Sequence, residues 1–112
     1  MMQFTDIEDL TRQMITAIGI QIIHYGDLEP KTRNACLNVS DYGFYYFGKK
    51  RLYLNEEQPA EERTKTMLHE LGHIVLRCLD DPKGEAEADR FMNDFFFILS
   101  KLEECQREKM TA

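Results

Sequence analysis

Ile7, Leu10, Met14 and Ile18 recur at three- and four-residue spacing near the start of the chain, and the pattern stops at Gly19. This predicts an amphipathic helix, opened by Thr5-x-x-Glu8 as a capping box and closed by the glycine. The period then shortens. Residues 20–25 read as a strand; after a polar stretch over 27–34, residues 35–39 and 44–47 read as a hairpin over Ser40-Asp41-Tyr42-Gly43. Gly48-Lys49-Lys50 turns the chain into residues 51–55. There Leu52 and Leu54 alternate with Arg51, Tyr53 and Asn55, as on a strand with one buried face. Two further helices follow, over 59–79 and from Pro82 onward. The expected class is α+β: a small, twisted, mostly antiparallel sheet of three to four strands, with N-terminal and C-terminal helices and the 59–79 helix packed on one face.

The 59–79 helix has two unlike faces. Counted from His69, the residues Met67, Leu71, Ile74, Val75 and Cys78 fall roughly between 140° and 240°, with Leu68 at about 260°. That stripe faces the core. On the other side, His69-Glu70-Leu71-Gly72-His73 sets two imidazoles ~6 Å apart on one face, with the Glu70 carboxylate about 100° round from His69. Both rings can close on one metal ion, for which zinc is the usual occupant. Glu70 stands too far round to be a natural ligand but within reach of a water on the metal, the position of a general base in a metal hydrolase. Two histidines at this spacing by chance are the rival reading, weakened by the Glu in second position. Gly72 costs ~1 kcal/mol against Ala inside a helix and marks a place where another backbone or a ligand comes close. Pro59, Glu61 and Glu62 suit the start of the helix and the positive end of its dipole.

A catalytic zinc normally takes three protein ligands and keeps a fourth position open. The third histidine, His24, lies far upstream in an apolar segment. Carboxylates just past the break Asp80-Asp81-Pro82-Lys83-Gly84 are better placed, with Asp81 as N-cap and Pro82 as first helical residue of the last helix. Glu85 and Asp89 lie four apart and share a face, so one can bind metal while the other holds a ligand histidine through its free ring nitrogen. Glu87 points elsewhere and reads as an acidic residue favoured by the helix dipole. Further on, Phe91, Met92, Phe95, Phe96, Phe97, Ile98 and Leu102 form a stripe wider than a small sheet needs. Consecutive Phe95, Phe96 and Phe97 point ~100° apart, so at least one is exposed or covered by a partner. A buried core helix and a partner or homodimer surface both stay open.

These motifs together resemble a known family. His69-Glu70-Leu71-Gly72-His73 followed by Glu85-x-x-Ala88-Asp89-x-Phe91 is similar to the ImmA/IrrE zinc-dependent metallopeptidases, whose members carry the HExxH helix and then Glu-x-x-Ala-(Asn/Asp/Ser)-x-Phe-Ala. The resemblance implies a small zincin-like domain with one zinc per chain held by His69, His73 and Glu85. It also implies Asp89 in the adjacent polar position, as a support to the ligands, and Phe91 in packing. Arg51-Leu52-Tyr53-Leu54-Asn55 resembles the strand ending in Asn before the active-site helix. The implied reaction is hydrolysis of a peptide bond by metal-activated water, with Glu70 as general base. The implied substrate is a protein, typically a DNA-binding repressor encoded nearby on a mobile element, as in phage regulation, or in a stress operon. The match is good over residues 50–92. It departs at Met92, where the family has Ala, and at Asn93-Asp94-Phe95-Phe96-Phe97, which replaces a Leu-Leu-Met-Pro-like run.

In zinc peptidases the strand before the metal helix commonly offers an edge to which an extended peptide adds. Tyr53 and Asn55 are thus candidate substrate contacts, although a half-buried structural strand fits the same pattern. A donor for the developing oxyanion is needed as well, and Tyr25, Tyr42, Tyr45, Tyr46, Tyr53 and His24 remain open for it. A reading from another class is a zinc-binding module that sequesters a repressor without cutting it. Glu70 favours the enzyme, because a purely structural zinc site needs no base.

Composition narrows the rest. The 112 residues, 43% hydrophobic, suit one domain over 1–112 with one core. No apolar run approaches the ~20 residues of a membrane span and no signal peptide precedes the first helix, so a cytoplasmic protein is expected. Cys36, Cys78 and Cys105 are widely spaced, with no C-x-x-C pair, and read as reduced packing residues. A net charge of −6 argues against direct nucleic-acid binding. No internal repeat is visible.

Overall fold

The computed structural model describes the backbone of residues 4–77 and 81–111, and the side chains of residues 6–77 and 81–105. Helix α1 (Phe4–Ala17) buries Ile7, Thr11 and Ile15, with Leu10 and Met14 half-buried and Ile18 exposed just beyond its end. Gly19, at φ 87°, closes it. The Gly19 N–H donates to the Thr16 carbonyl at 3.0 Å and the Ile20 N–H to the Ile15 carbonyl at 3.3 Å, which folds Ile20 back onto Ile15 in the core. The Thr5 side chain of the expected capping box lies outside the described side chains. The helix already includes residue 5, and the buried Glu8 carboxylate accepts from Arg12 Nη2 and, on two oxygens, from Arg63 Nε and Nη2, each at 2.9 Å.

Three strands follow: β1 (Gln21–His24), β2 (Gly43–Tyr46) and β3 (Arg51–Leu54). Between β1 and β2 lies a helix where the sequence suggested a loop and a strand. Helix α2 (Pro30–Val39) begins at a proline whose fixed φ suits a first helical position, and Arg33 ties its start to the carbonyls of Tyr25 (3.1 Å) and Leu28 (3.0 Å). Residues 35–39 are therefore helical. Of their apolar side chains Cys36 is buried, while Leu37 and Val39 are exposed, a pattern too weak to show an amphipathic period.

The sheet order is β1-β3-β2, with β1 parallel and β2 antiparallel to β3. This corrects two expectations. The sheet is mixed rather than mostly antiparallel, because the chain crosses over through α2 and β2 before β3 joins beside β1. Strand β3 is central, so it offers no free edge to a substrate; the sheet edges belong to β1 and β2, and of these β2 contributes residues to the wall of the cleft described below. Gly43 permits the close pairing at the start of β2, since a Cβ there would lie 2.7 Å from the Tyr53 carbonyl oxygen.

Leu52 and Leu54 are fully buried, as their alternation required, and meet Ile15, Ile20, Met67, Leu68 and Leu71 in one core. The last three come from α3 (Ala60–Leu76), which stops at Arg77 in the left-handed region, φ 54°. Ile74 packs against the core, whereas Val75 and Leu76, in the last turn, are exposed. The predicted end of this helix at 79, with Cys78, lies outside the described residues. Helix α4 (Pro82–Thr111) then returns across α3 and packs Phe91, Met92, Phe95 and Phe96 on the core edge.

Candidate metal centre

Two helices build the site because they cross closely. A Cβ on Gly72 would lie 3.1 Å from Phe91 Cβ and 3.2 Å from Ala88 Cα, so the glycine of α3 and the fully buried Ala88 of α4 set the separation. His69 and His73 flank that crossing on α3, and Glu85 stands one turn before Ala88 on α4. The start of α4 is fixed by its cap: Asp81 Oδ1 accepts the Gly84 N–H at 2.7 Å and the Asp81 carbonyl accepts the Glu85 N–H at 2.8 Å.

The donor atoms converge. The Nε2 atoms of His69 and His73 are 3.2 Å apart, and Glu85 sets Oε2 2.8 Å from the first and Oε1 3.0 Å from the second. Ligand atoms about 2.0–2.2 Å from a tetrahedral zinc ion are roughly 3.3–3.6 Å from one another, close to the separations seen. Two imidazole nitrogens and a carboxylate are also the right chemistry for that ion. The donor set therefore fits zinc. His73 is 2% exposed, while the Glu85 side chain keeps 45% of its surface, so the group is walled by protein on one side and open on the other.

Asp89 lies on the other side of the His69 ring. Its Oδ1 lies 2.7 Å from His69 Nδ1, and a carboxylate there holds the ring proton on Nδ1 and leaves the Nε2 lone pair turned to the ligand group. The i, i+4 pair on α4 thus divides, Glu85 toward both histidines and Asp89 toward the back of one. Glu87 is absent from the group formed by His69, His73 and Glu85 among the described residues.

The group opens into a cleft of about 510 Å³, bounded by Val39, Ser40, Tyr42, Gly43 and Phe44 on the sheet side and by α3 and α4 on the other. Glu70 lines it beside His69. Glu62, Lys65 and Thr66 also line it, at helical spacing before His69 and Glu70, so a projection of α3 shows them on the histidine face. The sheet-side wall had no such local signal, because it forms only when β2 lies along α3.

Tyr53 and Asn55 stand elsewhere. Neither lines this cleft: Tyr53 stacks on Phe44 with ring centroids 5.2 Å apart, and Asn55 is occupied in holding the loop before β2. Its Nδ2 donates to the Asp41 carbonyl at 2.8 Å and its N–H to the Tyr42 carbonyl at 2.9 Å. Of the other oxyanion candidates, the buried Tyr25 donates its hydroxyl to the Ser40 carbonyl at 2.9 Å, and His24 Nε2 lies 3.0 Å from Arg12 Nη1. Tyr45 and Tyr46 do not line the cleft; Tyr42 does.

Among the described residues no helix is long and apolar enough to cross a membrane. Comparison with curated proteins and with solved structures gives no match. A family model described as the IrrE N-terminal-like domain matches residues 13–109, a span that takes in the sheet and both helices of the metal centre. That span exceeds half the chain, and the chain belongs to the IrrE N-terminal-like domain family of peptidases.

Proposed function

We propose that this chain is a zinc-dependent endopeptidase that hydrolyses a peptide bond in a protein substrate, a DNA-binding repressor. The observation that supports it most is the convergence of Glu85 with His69 and His73 at the mouth of a cleft that Glu70 also lines. His69, His73 and Glu85 would hold the metal, which when bound supplies Lewis-acid polarisation of a carbonyl and lowers the pKa of water to about 7. Glu70 takes the proton from the attacking water and returns it to the leaving amine. Asp89 keeps His69 in the tautomer that ligates. Gly43 and Phe44, at the start of the edge strand β2, line the cleft, and that edge would offer its backbone to an extended peptide in place of the central β3.

A second reading, a zinc-binding module that sequesters a repressor uncut, draws support from Phe97, Ile98 and Leu102, which are exposed on α4. One experiment divides the two. Glu70→Gln should keep fold, zinc and partner affinity but lose cleavage by several orders of magnitude, since Gln cannot accept the proton. Zinc-loaded wild type and variant are incubated with the repressor encoded beside the gene, and products are read by mass spectrometry. Equal relief of repression by both proteins, with intact repressor, would leave sequestration as the function.

A further inference from the structure

We propose that Tyr42 is a catalytic residue, its phenol hydroxyl donating a hydrogen bond to the oxygen of the scissile carbonyl as negative charge develops there. The inference rests on the peptidase reading above and deepens it. Hydrolysis of an amide needs a donor aimed at that oxygen, and the donor must stand in the cleft without a prior engagement.

The donors around the cleft can be taken in turn. Ser40 Oγ accepts from the Tyr42 and Gly43 N–H groups at 3.1 and 3.2 Å, which turns that hydroxyl in against the loop backbone and away from a substrate carbonyl, and Thr66 Oγ1 donates to Gln58 Oε1 at 3.2 Å. Lys65 pairs with Glu61 at 3.4 Å and sits 5.2 Å from the centre of the Phe96 ring. Tyr25 is buried behind the loop, with its hydroxyl spent on Ser40 and burial pushing its phenol upward. Tyr53 lies under Phe44, and Tyr45 sets its ring edge-on to Phe47 at 4.7 Å. Arg63 is committed to Glu8. Tyr42 alone among the tyrosines lines the cleft, is 63% exposed, and has no hydrogen bond to its hydroxyl among the described residues.

Its backbone, by contrast, is pinned on both sides. The N–H donates to Ser40 Oγ, and the carbonyl accepts from the Asn55 N–H at 2.9 Å and from Gln58 Nε2 at 2.8 Å. Gln58 Nε2 also reaches the Asn55 carbonyl at 2.9 Å. A loop held this firmly presents one side chain with an unengaged donor to the cleft that Glu70 also lines. Fixed placement is what an oxyanion donor requires, because reorganisation during reaction would cancel its benefit. Asn55 and Gln58 are positioning residues in this scheme, acting through Tyr42.

The test uses two probes on zinc-loaded protein: the repressor encoded beside the gene, for turnover, and a phosphinic pseudo-tripeptide with phenylalanine on both sides of the phosphinate. The phosphinate mimics the tetrahedral anion, and Val39, Phe44 and Met92 give the cleft an apolar wall for the flanking rings. Tyr42→Phe should retain zinc and thermal midpoint, lose roughly 100-fold in kcat with KM within about twofold, and bind the phosphinate at least about tenfold more weakly by calorimetry. Asn55→Ala should lower kcat in wild type but add little in the Tyr42→Phe background. Unchanged phosphinate affinity in Tyr42→Phe overturns the assignment. A loss confined to Lys65→Met overturns it too, in favour of that lysine. Weaker phosphinate binding by Tyr42→Phe, with wild type and Glu70→Gln equally inert toward the repressor, keeps Tyr42 as the donor to the anion but overturns the repressor-cleaving reading on which its catalytic role rests.

Discussion

Two carboxylates one turn apart on α4 serve different ends because His69 presents two different nitrogens. Glu85 meets Nε2 of both imidazoles, whereas Asp89 meets only Nδ1 of one. Glu85→Ala should therefore abolish stoichiometric zinc, while Asp89→Ala should keep a site weakened about 10- to 100-fold. Atomic absorption after dialysis and competition with a chelator check both, and full zinc retained in Glu85→Ala would move the third ligand to another residue. The HExxH group was legible in the sequence because helical spacing alone sets the geometry of His69, Glu70 and His73. The division between Glu85 and Asp89 was not legible from spacing. Both share a face of α4, and only the angle at which that helix crosses α3 decides which one reaches the Nε2 atoms. Tyr42 was one of six oxyanion candidates for the same reason, since its place depends on a loop tied down by Asn55 and Gln58.

The crossing itself belongs to the scale of elements. Gly72 faces the backbone of Ala88 and the Cβ of Phe91 at 3.1–3.2 Å, and neither is the end of a flexible side chain. Gly72→Ala gains ~1 kcal/mol of helix propensity but loses about 1–3 kcal/mol to overpacking, so a net loss near 1 kcal/mol is expected. That corresponds to a fall of roughly 4 °C in Tm. Zinc affinity should fall with it, because α4 must move outward and carries Glu85 along; a Tm and zinc affinity at or above wild type would remove the crossing from the account. Further along α4, Phe97→Ser at a 61% exposed position should change Tm by less than about 2 °C. Leu99→Ala, at 3% exposure, should cost about 2–4 kcal/mol. Equal losses at both positions in thermal melts would mean that a second chain covers Phe97. The Phe95-Phe96-Phe97 run announced this split through helical angle alone. Helix α2 and the parallel β1–β3 pairing did not announce themselves. Leu37 and Val39 are exposed, so α2 carries little amphipathic signal, and strand order follows from a crossover that no local pattern records.

At the scale of the whole molecule, one ion cluster joins helix α1 to α3 and, through Gln58, to the cleft. Glu8 on α1 accepts from Arg12 on its own helix and Arg63 on α3, and Arg63 Nη1 also donates to the Gln58 carbonyl at 2.8 Å. Gln58 in turn holds Tyr42. Burial raises the Glu8 carboxyl, but the hydrogen bonds and charges of Arg63 and Arg12 outweigh it and leave the group below its ordinary value of 4.5. A carboxyl with a lower pKa in the folded chain than in the unfolded chain adds stability that is complete above about 4.5 and fades as pH falls through the folded value. Acid should thus loosen α1 from α3. Glu8→Gln should cost roughly 2–3 kcal/mol at pH about 7, below the usual figure for a broken buried pair because both guanidiniums keep about a quarter of their surface. The gap in Tm between wild type and Glu8→Gln should stay constant from pH about 7 to 5, then close as pH drops toward about 3. The proteins are compared in EDTA, so that loss of metal from the histidine site does not add its own acid dependence. A gap that persists undiminished at pH about 3 would mean that Glu8 stabilises the fold through packing rather than charge, leaving buried residues such as Ile7 and Ile15 to hold α1 in place.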